Sequence, residues 1–413
     1  MRLLVVTQYF WPENFRINDL VTEFILRGHT VTVLSGLPNY PEGSVFPEFK
    51  CNPGAFREFQ GAEVVRVPLV PRGRGRLRLV MNYLSFAISA SVLGCWKLRG
   101  RSFDAIFVYE PSPILVGIPA AILRRLKRAP VAFWVLDLWP QTLQALGVVR
   151  SPALLKATGA LVSFVYHRCD MILAQSRSFI PQIARYCRRP VRIAYFPSWS
   201  EPVFMQAPES AAVEVPVQRG SFDVMFAGNI GEAQDFPAVL AAAELLKEHT
   251  RIRWLVVGDG RMAAWVREEI KRRGLEDRVL MLGRHPVDRM PAFYEHADAL
   301  LVCLRDEPIF AMTIPGKLNT YLAAGLPVVA MLNGEGAEVV ERSRAGLTCR
   351  AGDAQGLAAV VLQLASMSNE QRAELGRNAR AASEGEFDRN RLLTQLENWL
   401  EQLRGGARGD AVK

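Results

Sequence analysis

Short apolar runs alternate with amphipathic stretches along nearly the whole chain, and they do so in two separate series. In the first, LLVVT (3–7) is followed by INDLVTEFILRGH with Gly28 near its end, and then by TVTVLSG. AIFVYE (105–110), ILVGIPAAILRRLKR, VAFWVLDLWP (131–140) and MILAQS (171–176) continue it. The second opens at FDVMFAGNIG (222–231) and runs through RWLVVGDG (253–260), RVLMLGR, DALLVCLR and PVVAM, with helical stretches between. Runs that are apolar throughout suit parallel strands covered on both faces, and strand–helix alternation predicts a doubly wound parallel sheet. Residues 202–220, rich in Pro, Ala and Glu, read as a linker. A chain of 413 residues also exceeds one ordinary core. The expectation is an α/β protein of two Rossmann-like domains facing across a cleft, 1–205 and 220–385. A helix at 386–404 is expected to pack back on the first domain, with a loose tail after it. Chemistry belongs after the strands, because ligands of open α/β sheets sit at the strands' carboxyl ends.

Composition narrows the function. With 22% charged residues the chain is globular, and its six scattered cysteines form no C-x-x-C pair, so neither a zinc site nor a disulfide framework is suggested. MRLLVVT lacks the long apolar region and cleavage site of a signal peptide, and a reducing cytoplasm fits. The net charge of +9 implies an anionic partner. Nucleic acid is not indicated, because no reading motif or aromatic-interleaved basic patch is found. Eight Lys and Arg and no acid lie between Arg66 and Arg101, with Arg72, Arg74, Arg76 and Arg78 just ahead of the apolar run LVMNYLSFAISASVLGCWKL. Three readings stay open for that run: a buried helix, a helix lying on an anionic membrane surface, and a membrane span. At a membrane surface each arginine would contribute on the order of 1 kcal/mol, lost as salt rises.

Strand-end segments supply the candidate site. FAGNIGEAQDF brackets Asn229 with Gly228 and Gly231 ahead of a helix, with Glu232 following. Glycines there let backbone N–H groups approach an anion. VVGDGR repeats the arrangement with Arg261, read as opening the next helix. TIPGKLNTYLAAGLPVVA sets Gly316 and Lys317 at a third helix start, with Thr320 one turn on. A lysine at a helix N-terminus meets a like-signed dipole end, and a bound anion between them relieves the mismatch. No D-x-D triplet occurs to hold a metal–diphosphate, so Lys317, arginines and helix ends would have to neutralise one. In the first half, YFWPENFRIND places Glu13, Asn14 and Arg16 at a helix mouth, and LSGLPNYPEG places Asn39 and Tyr40 in a loop. VYEPSP and VLDLWPQ end strands on Glu110 and on Asp137 with Trp139; either acid could be a helix cap or a catalyst. No Ser-His-Asp or Cys-His arrangement is visible.

RGHTVTVLSGLPNYPEG, DLWPQTL, FAGNIGEAQDF and IPGKLNTYLAAGLPVVA, in that order, resemble glycosyltransferase family 4 over nearly the whole chain. The likeness is to the bacterial O-antigen and capsule transferases of N-acetyl-L-fucosamine or a related sugar. It implies a GT-B fold, a UDP-sugar donor held by the C-terminal domain (Gly228, Asn229, Gly231, Glu232, Arg261, Gly316, Lys317, Thr320), and retention of configuration. No metal or other cofactor is implied. The acceptor implied is a saccharide on undecaprenyl diphosphate, met by Glu13, Asn14, Arg16, Asn39, Tyr40 and Trp139 at the inner face of the cytoplasmic membrane. Asp137, Glu110 and Lys317 would be catalytic. The chain departs from the family where paired glutamates are usual, at Met312 and Thr320, where Gly-Gly gives way to Glu13-Asn14-Phe15-Arg16, and where Arg and Lys give way to Asn229 and Asp235. A nucleotide-sugar epimerase of the same fold, or a non-catalytic nucleotide- or lipid-binding protein, remains an alternative.

Overall fold

The computed structural model describes residues 1–73, 75–145, 147, 149, 151–187, 191–205, 214–216 and 218–409. Arg74, residues 206–213 and 217 of the 202–220 segment and the last four residues of the tail therefore lie outside the described residues, as does the side chain of Arg76. Two compact units divide the chain: Met1–Pro197 with Asn390–Lys413, and Ser198–Arg389.

The first unit is built on β1 (Arg2–Val6), β2 (Thr30–Gly36), β3 (Glu58–Phe59), β4 (Ala62–Val67), β5 (Ala105–Glu110), β6 (Val131–Val135), β7 (Met171–Ala174) and β8 (Arg192–Tyr195), in the order β3-β4-β2-β1-β5-β6-β7-β8. Every described pairing is parallel except β3 with β4. The all-apolar runs take the centre: β1, β5 and β6 are buried almost throughout, and Leu4 registers with both Thr32 and Ile106. The 21-residue helix Arg389–Gly409 belongs to this unit. Its Glu397 accepts from Arg27 at 2.9 Å and pairs with His29 at 2.6 Å, while Trp399 packs edge-on against Phe196.

The second unit is an all-parallel sheet of β9 (Phe222–Ala227), β10 (Ile252–Val257), β11 (Val279–Gly283), β12 (Ala299–Cys303), β13 (Val328–Met331) and β14 (Gly346–Cys349), in the order β11-β10-β9-β12-β13-β14. Strands β3, β4, β8 and β14 had no counterpart in the sequence reading. β8 and β14 are half-exposed edge strands without an uninterrupted apolar run. β14 also starts on Gly346, where a Cβ would lie 1.9 Å from the Val328 carbonyl.

The apolar run of the first unit is helical from Arg76 to Ser89, passes through a π-helical segment at Ala90–Gly94 and continues to Lys97. Leu77–Lys97 is long and apolar enough to cross a membrane by length and composition. A fully buried helix is ruled out. Asn82, Phe86 and Ala90 face inward, but Leu77 is 74% exposed, Ile88 65%, Val92 63% and Trp96 60%. With Val80, Met81 and Leu84 these residues recur every three or four positions, which is one face of a helix.

Candidate functional site

In the second unit the loops after β9 and β10 interlock through their backbones. Gly228 has φ +134° and Gly258 φ +145°, a region that side chains disfavour. A Cβ on Gly258 would lie 1.9 Å from the Gly228 carbonyl, and one on Gly260 2.3 Å from that of Ile230. The Ile230 N–H donates to the Asp259 carbonyl at 2.9 Å, and the Met262 N–H donates to the Ile230 carbonyl at 3.0 Å. These glycines exist for close approach.

Lys317 lies against this nest. It is the second residue of the helix Gly316–Ala324, which follows Pro315 without a side-chain cap. Its Nζ is 4.7 Å from the centroid of the Phe226 ring, and a Cβ on Gly228 would meet its Cε at 2.4 Å. Burial pushes its pKa down to about 8, with Cys303 acting weakly the other way. Among the described residues no carboxylate pairs with it. The cation is thus held in place with no protein counter-ion, beside a helix start and glycine-rich loops. The next positions anchor the helix. Asn319 donates to the Ser198 carbonyl at 2.9 Å, and the Tyr321 hydroxyl accepts from the Ala227 N–H at 2.9 Å and donates to the Ala227 carbonyl at 3.1 Å. Thr320 bonds back weakly to the Gly316 carbonyl at 3.4 Å. Asn229 and Glu232 are exposed beside the nest. Arg261 is exposed too, but it lies in the turn before the helix Ala263–Arg273 and does not open it, which corrects the sequence reading.

The first unit contains a cavity of about 440 Å³ at the carboxyl ends of its strands, within the usual range for ligand pockets. Tyr9, Phe15, Tyr40, Tyr83 and Trp139 line it, with Asp137 and Arg72 among the polar groups. Tyr9 stacks on Phe15 with ring centroids 5.3 Å apart, and the Arg72 guanidinium lies 5.3 Å from the Tyr40 ring centroid. Asp137 accepts from the Trp139 indole at 3.1 Å and from the Thr142 hydroxyl. Burial raises its pKa, and the bonds from Thr142, Trp139 and Ser112 offset this in part. Ser112, also on the wall, has φ +130°, a strained conformation for a residue with a side chain.

Three residues expected in direct contact roles have different surroundings. Glu110 is fully buried and does not line the cavity, so it touches no acceptor there. Desolvation, and then the Asp137 charge, hold its pKa well above the usual range. Glu13 is 1% exposed and accepts from the backbone N–H groups of Phe10, Asn39 and Tyr40 at 3.0, 2.8 and 2.8 Å. It ties two strand-end loops together. Asn39 is likewise buried, accepting from the Arg72 N–H at 2.9 Å and donating to the Leu37 carbonyl at 2.9 Å. Asn14 is exposed and Arg16 half-buried at the first helix start; neither lines the cavity. Sequence reasoning missed Tyr9, Phe15, Arg72, Tyr83 and Ser112 as cavity residues. The aromatic run YFW directly after β1 was the available signal.

The description "Glycosyl transferase 4-like domain" matches residues 14–199, and "Glycosyl transferases group 1" matches residues 221–367. WcaI of Escherichia coli (strain K12), named for colanic acid biosynthesis as a glycosyl transferase, is 26% identical over 341 residues, covering 79% of this chain and 82% of WcaI. WbjE of Pseudomonas aeruginosa, named as a glycosyltransferase, is 26% identical over 300 residues, covering 68% of this chain and 72% of WbjE. Among solved structures, HepE of Anabaena in complex with UDP superposes with a TM-score of 0.68 at 16% identity, covering 97% of this chain and 100% of HepE. Sucrose-phosphate synthase of Thermosynechococcus elongatus gives 0.70 at 15% identity, covering 98% and 99%.

Proposed function

The chain is a GT-B glycosyltransferase, a 4-like domain followed by a group 1 domain, and from that premise we propose that it moves a sugar from a UDP-sugar to a lipid-linked saccharide in surface-polysaccharide assembly. Lys317 carries this reading. A half-buried cation with a depressed pKa, at a helix start and against two interlocked glycine loops, is a site for a diphosphate. A bound anion compensates the desolvated ammonium and raises its pKa again, and charge-assisted bonds to it contribute roughly 1.5–3 kcal/mol each. As the sugar leaves, the same groups stabilise the charge developing on the diphosphate. The leaving phosphate oxygen then takes the proton of the attacking acceptor hydroxyl on the same face of the sugar, so configuration is retained without a dedicated base. Asp137, fixed by Trp139 and Thr142, orients the acceptor hydroxyl.

The name of WcaI, which places it in colanic acid biosynthesis, supports the pathway, and HepE bound to UDP and to UDP-glucose supports the nucleotide. The sugar we propose is N-acetyl-L-fucosamine or a close relative, on the motif likeness alone. We place the protein peripherally on the inner face of the cytoplasmic membrane. The exposed stripe Leu77–Trp96 and the basic residues flanking it support that placement.

The test is calorimetric titration with UDP and GDP, repeated on Lys317→Ala. UDP is expected to bind, with affinity at least about tenfold weaker in the variant, in line with the loss of one charge-assisted contact. Absence of binding by either nucleotide would overturn the donor assignment.

A further inference from the structure

The cavity of the first unit opens onto the exposed helix face. Val80 and Leu84 belong to both: they line the cavity and are 45% and 47% exposed in the outward stripe. The apolar wall continues inward through Leu79, Leu115 and Leu143. Arg72 stands at the aromatic part of the lining and pairs with no carboxylate among the described residues. On the outer face Trp96 carries the Arg99 guanidinium 4.2 Å from its ring centroid, an amphipathic pairing suited to a headgroup boundary. Asn82, on the opposite side of the same helix, is buried and donates to the Val70 carbonyl at 2.7 Å. One face of this helix therefore belongs to the protein and the other is free to lie in a bilayer surface.

Resting on the lipid-linked acceptor reading, we propose that this cavity binds the isoprenyl diphosphate end of the acceptor, which enters sideways from the bilayer past Val80 and Leu84. The chain lies along Leu79, Leu115 and Leu143, and Arg72 meets the phosphate. An apolar wall open to a membrane-facing stripe, with a cation inside, fits an amphiphile with an anionic head. A fully water-soluble sugar would leave that wall without a partner. The aromatic cluster of Tyr9, Phe15 and Tyr40 then lies where the first sugar beyond the diphosphate would stack.

The experiment titrates the whole chain, first alone and then with UDP present, with farnesyl diphosphate, farnesol and inorganic diphosphate, and separately measures co-sedimentation with vesicles of phosphatidylglycerol and phosphatidylcholine. Farnesyl diphosphate is expected to bind at least tenfold more tightly than inorganic diphosphate. Leu115→Trp and Leu143→Trp, each confirmed folded by its thermal melt, are expected to weaken it at least tenfold without changing vesicle binding. Arg72→Gln should weaken farnesyl diphosphate but not farnesol. Ile88→Gln with Val92→Gln, outside the cavity, should reduce vesicle binding and leave the farnesyl diphosphate titration unchanged. Equal affinity in both folded cavity variants overturns the proposal, as does farnesyl diphosphate binding no better than inorganic diphosphate. Displacement of farnesyl diphosphate by phosphatidylglycerol at equal concentration would also overturn it, by making the cavity a general phospholipid site. The isoprenoid titration reads the first unit, so its failure is separate from a failure to bind UDP.

Discussion

Lys317 carries an electrostatic cost of burial at one residue. Its folded pKa is lowered to about 8 by burial, below that of an exposed lysine. From pH 8 up to the ordinary lysine range the unfolded chain binds a proton that the folded chain does not, so stability rises with pH there. Below that window the folded protein carries the burial penalty in full. Lys317→Met should therefore raise the melting temperature at pH 7 and remove the rise in stability above about pH 8. Lys317→Ala should lower turnover by about two orders of magnitude or more, the loss expected for one strong transition-state donor; near-normal kcat would remove it from the mechanism. Glu110 is the opposite case. Its folded pKa is raised by burial, so its contribution is present at low pH and is lost as pH rises through the folded value. Glu110→Gln keeps the shape and cannot ionise. Melting temperatures taken from about pH 5 to about pH 8 should fall less steeply in that variant than in the parent.

At the scale of elements, the glycine nest of the second unit depends on backbone approach that no side chain permits. Gly258→Ala puts a methyl 1.9 Å from the Gly228 carbonyl at a φ of +145°. Strain and overpacking together should cost about 3 kcal/mol or more, read as a lower urea midpoint at unchanged slope. UDP affinity should fall with it, because Gly228 also contacts the Lys317 stem. In the first unit the equivalent fastening is a side chain. Glu13 gathers three backbone N–H groups from two loops and so fixes Tyr40 at the cavity rim. A glutamate after a strand looks like an acceptor ligand in the sequence; only the loop it reaches back to shows that its oxygens are already taken.

For the whole molecule, the C-terminal helix is part of the first unit although nearly two hundred residues separate it from that unit's last strand. Leu393, Leu396 and Leu400 are fully buried, and Glu397 meets Arg27 and His29. A chain ending at Asp388 should lose several kcal/mol of stability, with each buried leucine worth roughly 2 kcal/mol. Its first thermal transition should drop or disappear while the second unit still unfolds cooperatively; an unchanged melt would show the helix to be dispensable.

The sequence by itself determined the two parallel-sheet series, the strand ends that carry the cavity and the glycine nest, and the Pro-Gly-Lys helix start. Those features are written locally, in uninterrupted apolar runs and in glycines and prolines that fix turns. It did not reveal the edge strands β8 and β14, whose pairing comes from a neighbour and not from their own weak apolar pattern. Nor could it separate Asp137, which lines a cavity, from Glu110 and Glu13, which do not. All three are acids at strand ends, and burial and hydrogen-bond partners are properties of the folded surroundings. The outward face of the helix Leu77–Lys97 was decided in the same way. Its composition allowed a core helix, a surface helix or a span, and only packing against β2, with Asn82 and Phe86 turned inward, left the apolar stripe facing out.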